Sequence, residues 1–117
     1  KDTQQIIMEK EREELPVRAK RRNTPEMEEV DLHINELIDY SEGMSNSEIL
    51  QIQLDRFHFV IEQNKKNKGK KIVFIHGVGN GVLKNEIRKL LERKYKGLNY
   101  QDASFREYGF GATMVII

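Results

Sequence analysis

The chain is predicted to fold as an α/β two-layer sandwich, a mixed sheet of roughly four strands against two main helices in the order β-α-β-α-β-β. Three observations carry this prediction. Val30, Leu32 and Ile34 alternate with Asp31, His33 and Asn35, the period-two pattern of a half-buried strand. Two stretches, from Ile49 to Ile61 and from Leu83 to Tyr95, repeat their apolar residues at helical spacing. Between them Ile72-Val73-Phe74-Ile75 is a short continuous apolar run of the kind covered on both faces. With 117 residues the chain supports one domain with a modest core.

In order along the chain, residues 1–24 show no core pattern. Pro16 and Pro25 bracket the run Arg18-Ala19-Lys20-Arg21-Arg22, which reads as a linker or basic arm of a longer parent chain, with residues 25–117 as the domain. The alternating strand begins after Glu26. Turn-prone residues from Ser41 to Ser47 follow, with Ser47 the expected N-cap of the first helix. That helix places Ile49, Leu50, Leu54, Phe57, Val60 and Ile61 on one face, and ends among the lysines between Asn64 and Gly69. His58, on its polar side, is expected to be a plain surface residue. The second helix is basic on its outer face and closes at Gly97. Late strands are expected over 100–107 and 112–117, joined by Tyr108-Gly109-Phe110-Gly111 as a hairpin. The first two strands are expected to run parallel.

Composition excludes several classes. There is no cysteine, so disulfide frameworks, thiolate zinc sites and cysteine nucleophiles are ruled out. No apolar stretch is long enough to span a membrane. A cytoplasmic location is the expectation. The net charge of +1 hides a strong partition: residues 26–62 carry 1 basic and 10 acidic side chains, whereas residues 63–117 carry 12 and 4. The basic half also holds the glycine loop described next, so the positive charge is expected to surround that loop and favour a polyanion.

Three segments at strand ends could carry chemistry, where open α/β sheets place their sites. In Val30-Asp31-Leu32-His33, Asp31 and His33 stand at i and i+2, on one face of a strand. There a carboxylate and an imidazole can orient one another, activate water or share a metal; an exposed polar strand face has the same spelling. In His76-Gly77-Val78-Gly79-Asn80-Gly81, three alternate glycines between a buried strand and a helix start free backbone N–H groups for an anion, with Lys84 and Arg88 nearby. A tight turn needs only one of these glycines. Neither the dinucleotide fingerprint nor the P-loop spacing is met. The third segment, Tyr108-Gly109-Phe110-Gly111-Ala112-Thr113, is a glycine hairpin with an aromatic rim. Its rings are expected mainly to pack, with stacking on a base as the alternative.

In register, these three segments resemble the small MutS-related (Smr) domain family, whose members carry Leu-Asp-x-His, His-Gly-x-Gly-x-Gly and Gly-Gly-x-Gly-x-Thr elements. Val30, Ile34, Val78 and Tyr108 stand where members often have Leu, Gly, Lys and Gly. The resemblance covers residues from about 28 to 117. It implies a fold similar to the C-terminal domain of translation initiation factor three, nucleic-acid binding and, in several members, nicking of DNA or cleavage of RNA. By this resemblance Asp31, His33 and His76 are the candidate catalytic residues. Gly77, Gly79, Asn80, Gly81, Lys84, Arg88, Gly109 and Gly111 are the candidate nucleic-acid contacts. The expected function is a nucleic-acid-binding domain, with endonuclease action on DNA or structured RNA as its enzymatic form. The expected partners are DNA or RNA, in a ribosomal setting or on repair and recombination intermediates, with no membrane. No definite cofactor is called for; magnesium or manganese is compatible with Asp31 and His33. The alternative is a non-catalytic nucleic-acid-binding or protein-interaction module that positions a larger parent protein.

Overall fold

A computed structural model describes residues 26–117, and the predicted arm over 1–24 lies outside the described residues. The elements are β1 (Met27–Asp31), α1 (Ile34–Leu37), α2 (Asn46–Gln63), β2 (Lys71–Ile75), α3 (Val82–Arg93), β3 (Asn99–Asp102), α4 (Phe105–Tyr108) and β4 (Ala112–Ile116). Among the described residues the strands form one sheet in the order β1-β2-β4-β3. β1 runs parallel to β2, with Asp31 level with Ile75. β4 is antiparallel to both β2 and β3.

The alternation of β2 explains the two layers. Ile72 and Phe74 point to the face covered by α2 and α3, where they join Leu32, Phe57, Ile61, Ile87, Leu91 and Val115 in the main core. Phe57 of α2 meets Phe74 edge-to-face, ring centres 4.7 Å apart. Val73 and Ile75 point to the other face, into a smaller cluster with Ala103 and Ala112 against which Tyr108 packs. The mixed sheet, the two main helices on one face and the parallel first pair agree with the sequence prediction.

Three boundaries differ from the predicted ones. The first strand stops at Asp31. Leu32 N still bonds Ile75 O at 2.8 Å, but the Asp31 carboxylate then captures the His33 N–H at 2.9 Å. A short polar side chain that bonds the backbone two residues on turns the chain, so His33 becomes the N-cap of α1. The N-cap of α2 is Ser45, because Glu48 stands three residues after it and completes a reciprocal capping box. The third strand ends at Asp102, and a helical turn, α4, takes up the segment expected to continue it: the Ser104 carbonyl accepts the Glu107 and Tyr108 N–H groups.

Candidate nucleic-acid interface

All three glycines of the loop after β2 adopt positive φ, Gly77 at +77°, Gly79 at +40° and Gly81 at +83°. A tight turn here therefore uses three glycines, not one. Gly81 N bonds Val78 O, and the Asn80 carboxamide oxygen accepts the Val82 N–H at 3.1 Å, so Asn80 helps start α3. The N-terminal turns of α2 and α3 open on the same end of the sheet. Between them lies a groove of about 440 Å³ lined by residues that include Ser47, Gln53, His76, Asn80 and Val82. Two helix starts facing one groove give it a positive potential.

The three motif segments converge on Gly77. Gly111 O accepts both the His76 and Gly77 N–H groups at 2.9 Å. A side chain on Gly111 would meet Gly77 Cα at 3.4 Å, and one on Gly77 would meet His33 Nε2 at 2.7 Å. The glycine loop is thus sandwiched between the closing hairpin and the His33 ring. His33 Nδ1 lies 2.7 Å from Asp31 Oδ1. A carboxylate only accepts, so Nδ1 carries a proton, and in the neutral imidazole Nε2 is the nitrogen with the lone pair. The His33 side chain is 55% exposed and Asp31 18%.

His76 is placed differently. It is buried, and both ring nitrogens are occupied: Nδ1–H donates to Gly77 O and Nε2 accepts from the Thr113 hydroxyl, each at 2.9 Å. Burial pushes its pKa below the ordinary histidine value; the Gly77 bond opposes this, and Lys84 and Arg88 reinforce it. Arg88 Nη2 donates to Thr113 Oγ1 at 3.0 Å and to Asp102 Oδ1 at 2.5 Å, while Lys84 Nζ stands 3.7 Å from the same carboxylate oxygen. The Arg88 bond holds Asp102 below the usual carboxylate range. Lys84 and Arg88 therefore reach the loop with a counter-ion beside them. Gly109, at φ +60°, closes α4 by donating to Phe105 O.

A scan against family models matches residues 43–117 to the Smr domain. The chain belongs to the Smr domain family. The matched span of this Smr domain contains the glycine loop and the closing hairpin and begins after His33. No curated protein and no solved structure matches the chain. No helix among the described residues is long and apolar enough to cross a membrane.

Two participants are not evident in the sequence. Thr113 stands there only as the last residue of a motif, yet its fully buried hydroxyl joins His76 to Arg88. Asp102 has no local signal; only the β3–β4 pairing brings it opposite Thr113. His58 corrects an expectation: it is half-buried, with Nδ1 2.8 Å from the Tyr95 hydroxyl. The lysine run is also corrected. It lies at the start of β2, while the glycine loop follows its end, about 16 Å away for five strand residues. The positive charge is therefore split between two ends of the sheet.

Proposed function

We propose that this Smr domain binds the phosphate backbone of DNA or RNA at the glycine loop and cleaves a phosphodiester there, with His33 as general base. The observation that carries this reading is the placement of His33: Asp31 holds its Nδ1–H, and Nε2 faces Gly77. In the step we propose, His33 Nε2 takes the proton of a water molecule, or of a ribose 2′-hydroxyl, as that oxygen bonds to phosphorus. The ester bond to the leaving oxygen breaks, and that oxygen takes a proton from solvent. Asp31 keeps the imidazole in the required tautomer and stabilises its protonated form. Backbone N–H groups of the loop, with Lys84 and Arg88, receive the phosphate charge. His76 acts as a positioning residue, since both its nitrogens serve to hold the loop.

Among the described residues no group of three His, Asp or Glu side chains could hold a metal ion unaided; a magnesium or manganese ion would be held by the Asp31 carboxylate together with phosphate oxygens of the substrate, where it would neutralise developing charge.

The test is cleavage of supercoiled plasmid and of structured RNA by the full chain, set beside filter binding of the same nucleic acids. Asp31→Asn and His33→Gln are expected to lower cleavage by roughly 100-fold or more, the scale of a lost general base, with binding within about twofold. Unchanged cleavage in both variants overturns the assignment. Binding without any cleavage by the native chain favours the non-catalytic module.

A further inference from the structure

Two large apolar side chains beside the loop take part in neither core. Phe105 and Phe110 are 64% and 63% exposed, and their rings meet edge-to-face with centres 4.9 Å apart. We infer that this pair is a stacking platform for an unpaired base attached to a phosphate at the glycine loop, so that the ligand is single-stranded or locally unpaired nucleic acid. The inference rests on the proposed phosphate cradle and adds which nucleic acid it takes.

The geometry supports this at three points. The pair sits on a closed frame: Gly109 N bonds Phe105 O at 2.8 Å and Gly111 N bonds Tyr108 O at 3.1 Å. Phe110 directly precedes Gly111, whose carbonyl holds the N–H groups of His76 and Gly77, so the backbone that carries the ring is tied to the loop. The third aromatic of this hairpin is committed elsewhere, since the Tyr108 hydroxyl donates to the buried Glu29 carboxylate. Phenylalanine offers a face but no hydrogen bond, so it recognises a base by stacking, without regard to sequence. In a duplex each base face is already covered by its neighbours, whereas a single strand presents it.

The test uses fluorescence anisotropy of the full chain with a labelled oligothymidylate of about 12 nucleotides, a base-free strand of the same backbone length, and a duplex. The native chain is expected to bind oligothymidylate about 10-fold more tightly than the base-free strand. Phe105→Ala with Phe110→Ala should abolish that difference and leave the base-free strand and the duplex bound as before. Phe110→Trp should preserve it. The chain has no tryptophan of its own, so the fluorescence of that variant should be quenched by oligothymidylate and not by the base-free strand. Equal native affinity for the two strands overturns the platform and leaves the phosphate cradle standing. No binding to any of the three probes overturns both.

Discussion

The Thr113 hydroxyl donates to His76 Nε2 and accepts from Arg88 with no exposure to solvent. Thr113→Val keeps the shape and removes both bonds, leaving the buried His76 nitrogen without its donor. The expected cost is about 1–3 kcal/mol, read as a lower urea midpoint with an unchanged slope. Thr113→Ser, which retains the hydroxyl, should lose less. The same imidazole sets a pH dependence. Burial lowers the pKa of His76 from 6.5, and burial followed by Lys94 lowers that of His58. A histidine with a lower pKa folded than unfolded gains a proton on unfolding, so its contribution is complete above 6.5 and is lost as pH falls through the folded value. The melting temperature should therefore drop between pH 7.5 and 5.5, and His58→Gln should shrink the drop; a flat profile across that interval contradicts the assignment. None of this is readable from a single histidine letter. The sequence points to His76 as a site residue, and only the register of β4 against β2 turns it inward.

At the scale of elements, periodicity is legible in the sequence, and local competition for backbone bonds is not. β2 and α3 can be read directly, because an unbroken apolar run fits a covered strand and a 3.6-residue repeat fits a helix with one buried side. The end of β1 cannot, because Leu32 and Ile34 continue the alternation while the Asp31 carboxylate, by bonding His33 N, bends the chain out of the strand. That bend is what brings His33 against Gly77, so the residue that ends the strand also shapes the candidate site. The start of α2 turns on the same kind of contest. Ser45 and Ser47 are both suitable caps, and the Glu48 carboxylate decides it by accepting the Ser45 N–H at 2.8 Å while the Ser45 hydroxyl accepts the Glu48 N–H at 3.1 Å. Ser45→Ala should cost about 1 kcal/mol in urea unfolding, and Ser47→Ala at most a few tenths. Comparable losses for both would mean that the helix start is shared.

Across the whole molecule, charge falls into three zones that a segment count cannot separate. The edge strand β1 borders a groove of about 670 Å³ whose lining carries Glu28, Glu29, Asp31, Glu36 and Asp55 against Arg56 alone. Such an edge repels a polyanion and also deters strand-to-strand association. The glycine-loop end has Lys84 and Arg88 sharing Asp102, so the phosphate binding proposed there would rest largely on backbone N–H groups and helix starts. The far end holds Lys65, Lys68, Lys94 and Lys96 around a pocket of about 280 Å³ in which Glu62 is the one acidic side chain, itself 3.1 Å from Lys65. A strand that reaches from the loop along α3 to this end would release counter-ions at both places, and each phosphate neutralised adds about 0.7–0.9 to the slope of log affinity against log salt. Reversing Lys94 and Lys96 to glutamate should therefore weaken binding of a strand of about 12 nucleotides and flatten its salt slope by about 1–2. Binding of a dinucleotide, whose single internucleotide phosphate cannot occupy the loop and the far end together, should be unchanged. Since the altered side chains lie with Ile117 at the opposite end of the sheet from Gly77, the cleavage rate of the saturated complex should match that of the native chain. An unaltered slope for the longer strand would confine the ligand to the glycine-loop end and leave the far lysines as a solvated surface.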